Sequence, residues 1–500
     1  MQLHWLACAQ WVIVEVQKVG GCMRQAGKWG IAVLVLFVAA CGTEVATPSE
    51  GLDAGADDAE SVDWKPSGKD VPVSDAADAG ADAAPDANAN DAADAAKVDV
   101  IADVGGGLPS EITEITYAKS LFDVQGIHEV KVTVDPAEWA AYMDGVSKPD
   151  GQKVYNWHKA DIELDGIPYA TVGIHGFGNG SQIDNPSKPN MRFKFDKYNL
   201  EGMGPEGQKA FRLKASGQDP TYLREPIAGA LLRSIGGDAP RFSWAHVVVN
   251  GTDMGPYLLQ ESIDKRYFHN TFGNNDGGKF ETVYGCLGFD CPAAGGCAAL
   301  KSAYVGDPGD PQVIVDAAQA ITNATEDQFP AVLDQYVYTD ELLADYAVDA
   351  LLSNIDGFAS AGQNFTFYAD EMTKKFHLIA TGTDLTFGNF GKPWYELMTP
   401  WGPPNSWCKN RADQLYQRIW AHPVLKQKLL AKFQALQCGL FRDTTLLPLI
   451  DSYHKALKPF IYNEPKGIYT PKQVDAYYTS VEDYVTKRQT TLSDLLGPCK

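Results

Sequence analysis

The chain has 500 residues, a formal net charge of −22 at pH 7, 45% hydrophobic residues and nine cysteines. Its length suits two or three domains. No basic run occurs in it, which argues against nucleic acid as a partner, because a phosphate backbone is held by clustered Lys and Arg.

The opening segment reads as an export signal over residues 1–40. "RQAGKWGIAVLVLFVAA" (24–40) sets basic residues ahead of an apolar run too short to remain as a membrane-spanning helix. Met23 reads as the start, since the residues before it fit no signal pattern. "VAAC" (38–41) resembles a bacterial lipobox and makes Cys41 the expected lipidation site. That predicts an exported, membrane-anchored lipoprotein. Gly42, where an inner-membrane retention Asp would stand, favours the outer membrane or cell surface.

Residues 41–110 hold the lipid cysteine and a linker rich in Asp, Ala, Gly and Pro. Residues 42–110 carry 16 acids against three lysines, a net of −13. Residues 1–40 add +2, so the remaining chain carries −11 of the total of −22. A segment with so little apolar mass cannot offset its ordering entropy and reads as a disordered, self-repelling tether. Its Asp spacing lacks the Gly and Glu positions of a calcium loop.

The folded region begins near residue 111. It contains Cys286, Cys291, Cys297, Cys408, Cys438 and Cys499. Six cysteines in an exported chain predict three disulfides, with fifteen pairings open. A zinc site at the first three lacks a Cys-x-x-Cys spacing and a nearby His.

"IHEVKVTV" (127–134) alternates as a strand, and "DPAEW" then places Asp135, Pro136 and Glu138 as the N-cap, N1 and N3 of a capping box. "ADIELDGIPYATVGIHG" predicts a hairpin turning at Asp165-Gly166, running into the glycine-rich "GIHGFGNGS". Two strands follow, "NMRFKFD" and "AFRLKAS", with Lys194 and Lys214 near their ends. "PTYLREPIAGALLRSIG" predicts a helix with Glu225 on its side, and "AHVVVNGTDMGPYLLQE" a hairpin turning at Asn250-Gly251. The second half reads as mostly helical. It includes an amphipathic helix, "TDELLADYAVDALLSNIDG", ending near Asp356-Gly357, and a hairpin from Asn364 to Asp384. Residues 409–496 read as several further helices.

This order of parts matches protein-kinase-like folds: a glycine-rich hairpin, a strand lysine, a helix glutamate, an Asp…Asn pair, then an Asp ending an apolar strand. The stretches "VKVTVDPAEW", "KPNMRFKFDKY", "FRLKASGQDPTYLREPIAGALLRSIGGDAPR", "VVVNGTDMGPYLLQESIDKRYF", "YAVDALLSNIDGF" and "FHLIATGTDLTFG" resemble the CotH kinase family, proteins similar to spore coat protein H. The resemblance implies an α+β, atypical protein-kinase-like bilobal fold behind the tether, with a β-rich N-lobe (111–270) and a helical C-lobe (271–500). It also implies ATP with Mg²⁺ or Mn²⁺, and Ser/Thr of exported proteins as substrate.

By that resemblance Asp356 is the catalytic carboxylate, and Asn364 and Asp384 hold the metal. Gly176, Gly178, Gly180 and Ser181 form the phosphate loop. Lys214 and Glu225 form the expected ion pair, with Lys188 and Lys194 as rival lysines, and Glu261 meets adenine or ribose. The chain departs from the family where Trp-Asp-x-Asp-x-(Thr/Ser)-x-Gly is usual. Here Thr381 replaces the Trp and Gly382 the first Asp. The gap from Asp356 to Asn364 is long, and the family's "GNSS"-like loop reads "GNGSQ". Two functions therefore stand: a kinase acting on exported proteins, or a surface-binding module that keeps the fold without turnover.

Overall fold

In the computed structural model, the described residues are 121–499, apart from 123, 125, 149–152, 179–186, 283–288, 290, 292–295 and 389–413. The signal segment, Cys41, the tether, Gly180, Ser181, Cys286 and Cys408 lie outside the described residues.

Alternation shapes the first half. Strand β1 (Ile127–Val134) buries Val130, Val132 and Val134 on one face. Asp135 caps helix α1 (Pro136–Val146) by accepting from the Ala137 and Glu138 amides. The expected reciprocal half of the capping box is replaced, because Glu138 Oε2 lies 2.6 Å from His158 Nδ1. Strands β2 (His158–Leu164) and β3 (Ile167–Gly176) turn through Asp165 at φ 51° and Gly166 at φ 82°, the left-handed pair that a tight hairpin requires. Then come β4 (Met191–Lys194), β5 (Ala210–Lys214) and helix α2 (Arg224–Ser234). Pro226 falls in the first turn of α2, where its missing N–H leaves no helical bond unmade. Strands β6 (Phe242–Val249) and β7 (Thr252–Glu261) turn at Asn250 and Gly251 as the sequence predicts.

These seven strands close into a barrel in the order β1-β2-β3-β4-β5-β7-β6, with β6 parallel to β1. Phe193, Phe211, Leu213, Val247 and Leu259 fill its interior. Because side chains alternate, Arg192 and Lys194 of β4 and Arg212 and Lys214 of β5 fall on the outer face.

The second half is helical but also holds a sheet. After α3 (Lys265–Phe272) come β8 (Gly278–Thr282), β9 (Tyr304–Asp307), α4 (Gln312–Asn323), α5 (Phe329–Tyr336), α6 (Thr339–Leu352) and α7 (Phe358–Ala361). Strands β10 (Phe365–Ala369) and β11 (Phe376–Ala380) complete a four-stranded sheet, ordered β11-β10-β8-β9. Helices α8 (Gln414–Ala421), α9 (Pro423–Cys438), α10 (Asp443–Ile461) and α11 (Pro471–Leu496) close the chain.

Helix α6 corrects the expectation of an amphipathic helix reaching Asp356. Every residue in it except Asp340 and Glu341 is buried, so it is the central helix of the larger core. It stops earlier, at Ser353 in the left-handed region (φ 49°). Two disulfides join described cysteines, Cys291–Cys297 and Cys438–Cys499. No helix among the described residues is long and apolar enough to cross a membrane.

Candidate active site

Lys214 and Glu225 form the first half of the site. Lys214 ends β5 on the outer face of the barrel, and Glu225 occupies the first turn of α2. Lys214 Nζ lies 2.6 Å from Glu225 Oε1, and both side chains are largely buried. Burial alone would lower the Lys214 ammonium; Glu225 and Asp384 outweigh it and raise it. Burial pushes the Glu225 carboxyl up to about 7, against the pull of Lys214 and with the repulsion of Asp384.

Asp356 and Asn364 form the second half. Behind the left-handed stop at Ser353, Asn354 donates to Asp349 Oδ1 at 2.8 Å and accepts from the Asp356 amide at 3.3 Å. Asn364 Nδ2 donates to both Asp356 Oδ2 and the Asp356 carbonyl, each at 2.8 Å. Burial, then the charge of Asp384, pushes the Asp356 carboxyl up to about 7, with the Asn364 hydrogen bond opposing them. The loop after β11 docks on this turn through Ile355 N to Leu385 O and Phe387 N to Leu352 O. Asp384 therefore acts on Lys214, Glu225 and Asp356 together.

Gly382 has a steric reason for lacking a side chain. A Cβ there would meet Asn364 Cγ and Oδ1 at 3.0 Å. With its amide nitrogen bound to Asp356, Asn364 turns Oδ1 toward the space beside Gly382. Asn364 Oδ1 and the Asp384 carboxylate are hard oxygen donors of the kind Mg²⁺ takes, and Mg²⁺ keeps several waters rather than needing a full protein cage. The residues present fit that ion.

On the barrel side, Tyr155 donates to the Gly178 carbonyl, and Asn190 Nδ2 to the Phe177 carbonyl at 3.3 Å, which fixes the entry of the glycine loop. Gly176 ends β3 with no room for a side chain, since a Cβ would strike Val146 and Tyr155. Lys194 lies part-buried on β4, opposite Ala210.

Two predicted contacts are committed elsewhere. Lys188 is fully buried, with Nζ 2.5 Å from Glu464 Oε1 and 2.6 Å from Tyr222 Oη. It links the barrel to the segment after α10 instead of opening to a ligand. Glu261 is buried at the end of β7, and Arg241 holds both its oxygens at 2.6 and 3.0 Å.

Three contributors were not read from the sequence. Arg212 shares the outer face of β5 with Lys214 and lies under the Phe177 ring, 5.1 Å from its centroid. Burial lowers its guanidinium to about 10, against Glu281 and Glu225. Glu281 of β8 pairs with Lys279 at 3.2 Å. Gln260 Nε2 donates to Thr381 O at 3.1 Å and joins β7 to the loop bearing Asp384. Period-2 alternation places Arg212 beside Lys214 and could have found it; Glu281 and Gln260 meet the site only through tertiary contact.

A family model described as CotH kinase protein matches residues 174–492. Spore coat protein homolog 1 of Rhizopus delemar is 22% identical over 387 residues, which are 70% of this chain and 58% of that protein. Inner spore coat protein H of Bacillus subtilis is 24% identical over 325 residues, 61% of this chain and 84% of that protein. The chain thus spans well under two thirds of the Rhizopus relative and most of the Bacillus one. Among solved structures, the Helicobacter pylori proinflammatory kinase CtkA aligns with a TM-score of 0.30 and 12% identity, covering 63% of this chain and 94% of that one.

Proposed function

The chain belongs to the CotH kinase protein family, and from that premise we propose that it is a protein kinase that transfers phosphate from ATP to Ser or Thr hydroxyls of exported or coat proteins. The observation that carries this reading is the convergence of the Lys214–Glu225 pair, Asp356, Asn364 and Asp384 around one charged cluster.

Each role follows from the chemistry of the group. Phosphoryl transfer is governed by positioning and charge stabilisation. Lys214, held by Glu225, offers a fixed positive charge to the phosphates. Gly176, Gly178 and Gly180, which lack a Cβ, let backbone amides of the loop approach them closely, and Ser181 adds a hydroxyl donor. Arg212 adds a second cation on the same face. Asp356, poised near neutral pH, accepts the proton of the attacking hydroxyl. Asn364 and Asp384 would hold Mg²⁺ or Mn²⁺, which when bound neutralises the triphosphate. The Cys41 lipid and the 41–110 tether hold the domain away from a membrane, where exported substrates reach it.

One observation favours the second reading, a surface-binding module without turnover. Gly382 stands where the family resemblance expects a carboxylate, and a Cβ there would press on Asn364 at 3.0 Å. The test is thermal unfolding of the purified protein with ATP and Mg²⁺ or Mn²⁺, beside Asp384→Ala, followed by labelled phosphate transfer to a Ser-rich protein substrate. A metal-dependent rise in the midpoint, lost in the variant, with label incorporated, supports the kinase. A rise without incorporation supports the binding module, and no rise at millimolar ATP removes the nucleotide from both readings.

A further inference from the structure

A second polar cluster lies at the far ends of the elements that deliver the candidate active site. Helix α2 carries Glu225 in its first turn and leads to Asp238. Helix α6 carries Glu341 in its first turn and leads to Asp356. Strand β11 carries His377 as its second residue and leads to Asp384. Asp238, Glu341 and His377 each bring one ligand atom within 4.8 Å of the others.

The histidine is held for this position. His377 Nδ1 lies 2.9 Å from Glu341 Oε2. Its ring is clamped between Phe272 and Tyr338, with centroid distances of 3.7 and 4.0 Å. His377 is 5% exposed, and its Nε2 is buried with no hydrogen-bond partner among the described residues. The nearest acid to that nitrogen is Asp370, whose Oδ2 stands 3.8 Å away. Asp370 is itself fixed by Tyr338 Oη and Thr373 Oγ1, each at 3.0 Å. The third member is fixed through its backbone, since Ala380 of β11 donates to the Asp238 carbonyl at 3.0 Å.

Among the described residues, the two carboxyls face each other without a dedicated cation. Arg233 and Lys432 act on them electrostatically, but Arg233 donates to the Ala239 and Pro240 carbonyls and Lys432 to Asp340 and the Ile235 carbonyl. A buried imidazole nitrogen and two carboxyl oxygens within 4.8 Å of one another form a mixed nitrogen and oxygen donor set.

We propose that Asp238, Glu341 and His377 bind one divalent transition-metal ion of the zinc class, at a centre separate from the nucleotide site. Two carboxylates balance the ion's charge, and imidazole Nδ1 supplies the nitrogen donor that distinguishes this set from an all-oxygen magnesium site. With Nδ1 on the metal, Nε2 carries the proton and turns it toward Asp370, the outer carboxylate typical of a ligating histidine. Tetrahedral bonds of about 2.1 Å set ligand atoms about 3.4 Å apart, so the cluster closes with small side-chain movements and leaves a fourth position for water. Metal binding here ties α6, β11 and the segment after α2 at one point.

The test uses the full-length protein, stripped of metal with a chelator and titrated with Zn²⁺ against a chromophoric competitor, without ATP. A parallel titration with Co²⁺ reports coordination through its visible absorption. The expected result is one tight equivalent in the wild type and in Asp384→Ala, weakened at least tenfold in His377→Gln and in Asp238→Asn. Circular dichroism confirms that both variants are folded; if one is not, Glu341→Gln takes its place. Absence of that equivalent in the wild type overturns the proposal and leaves a carboxyl pair sharing a proton. Its retention in all of the folded ligand variants, or its loss in Asp384→Ala, assigns the metal elsewhere and overturns the proposal equally.

Discussion

Lys214 Nζ stands 2.6 Å from Glu225 Oε1, and the charge of Asp384 bears on both. This ties the end of β5, the start of α2 and the loop after β11 into one unit. Lys214→Ala removes the cation in direct contact with Glu225. Phosphate transfer should fall by about 10²–10³-fold, the usual loss on deleting one preorganised charge. The melting rise with ATP and metal should vanish as well. A variant that keeps both would show that the pair is merely structural.

The pH dependence has a definite sign. Burial pushes the Asp356 and Glu225 carboxyls up to about 7 in the folded chain, above the range of about 4 usual for exposed carboxylates. A carboxyl raised on folding stabilises fully below its unfolded pKa, and that stabilisation is lost as pH rises through the folded one. Stability should therefore decline between about pH 4 and 7 on account of these two groups. Asp356→Asn should flatten part of that decline in melting curves taken across the range, with Asp356 ionisation as the ascending limb of activity near pH 7. An unchanged slope in the variant would refute the assignment.

Gly382 constrains Asn364 by contact. Gly382→Ala places a methyl 3.0 Å from the amide, an overpacking that typically costs about 1–3 kcal/mol. The expected outcome is a lower melting midpoint together with reduced phosphate transfer. Gly382→Asp, which restores the usual family acid, should behave no better. Gain of activity in Gly382→Asp would mean that Asn364 yields without disturbing Asp356.

Lys188 should matter for stability and not for nucleotide. Its pair with Glu464 is 1% and 10% exposed at the two side chains, and breaking a buried pair on one side costs about 3–5 kcal/mol. Glu464→Ala should lower the denaturation midpoint while the ATP-dependent increment persists. Selective loss of that increment would return Lys188 to the phosphate site.

The Cys438–Cys499 bond spans 61 residues. Closing a loop of that size removes about 4 kcal/mol of unfolded-chain freedom in the entropic account. Cys438→Ser should lower stability in chemical denaturation by that order, with little change in activity, since the bond joins α9 to the end of the chain. A silent substitution would mean that the unfolded chain is already restrained there.

Much of the barrel was legible because its rules are local. Asn250-Gly251 and Asp165-Gly166 need left-handed backbone, and period-2 alternation marked β1 at its true ends. The order of Lys214, Glu225, Asp356, Asn364 and Asp384 along the chain was also readable, since each sits at an element end marked by a Gly, Pro or Asp. What could not be read was long-range. Lys188 meets Glu464 across 276 residues, and no local pattern signals that. Helix α10 contains Pro448 and Pro459, the residues that ordinarily end a helix. Helix α6 was misjudged because burial on every side looks, in sequence, like one broad apolar face.

The barrel closes through β1 and β6, with Val130 opposite Val247. A chain synthesised from its N-terminus delivers β1 long before its parallel partner exists. Until β6 arrives, one edge of β1 offers unpaired amides and carbonyls to any neighbouring strand. Contacts so distant in sequence also slow the search for the native state, since loop entropy is spent before they form. The step most exposed to misassembly is thus the last closure of the barrel.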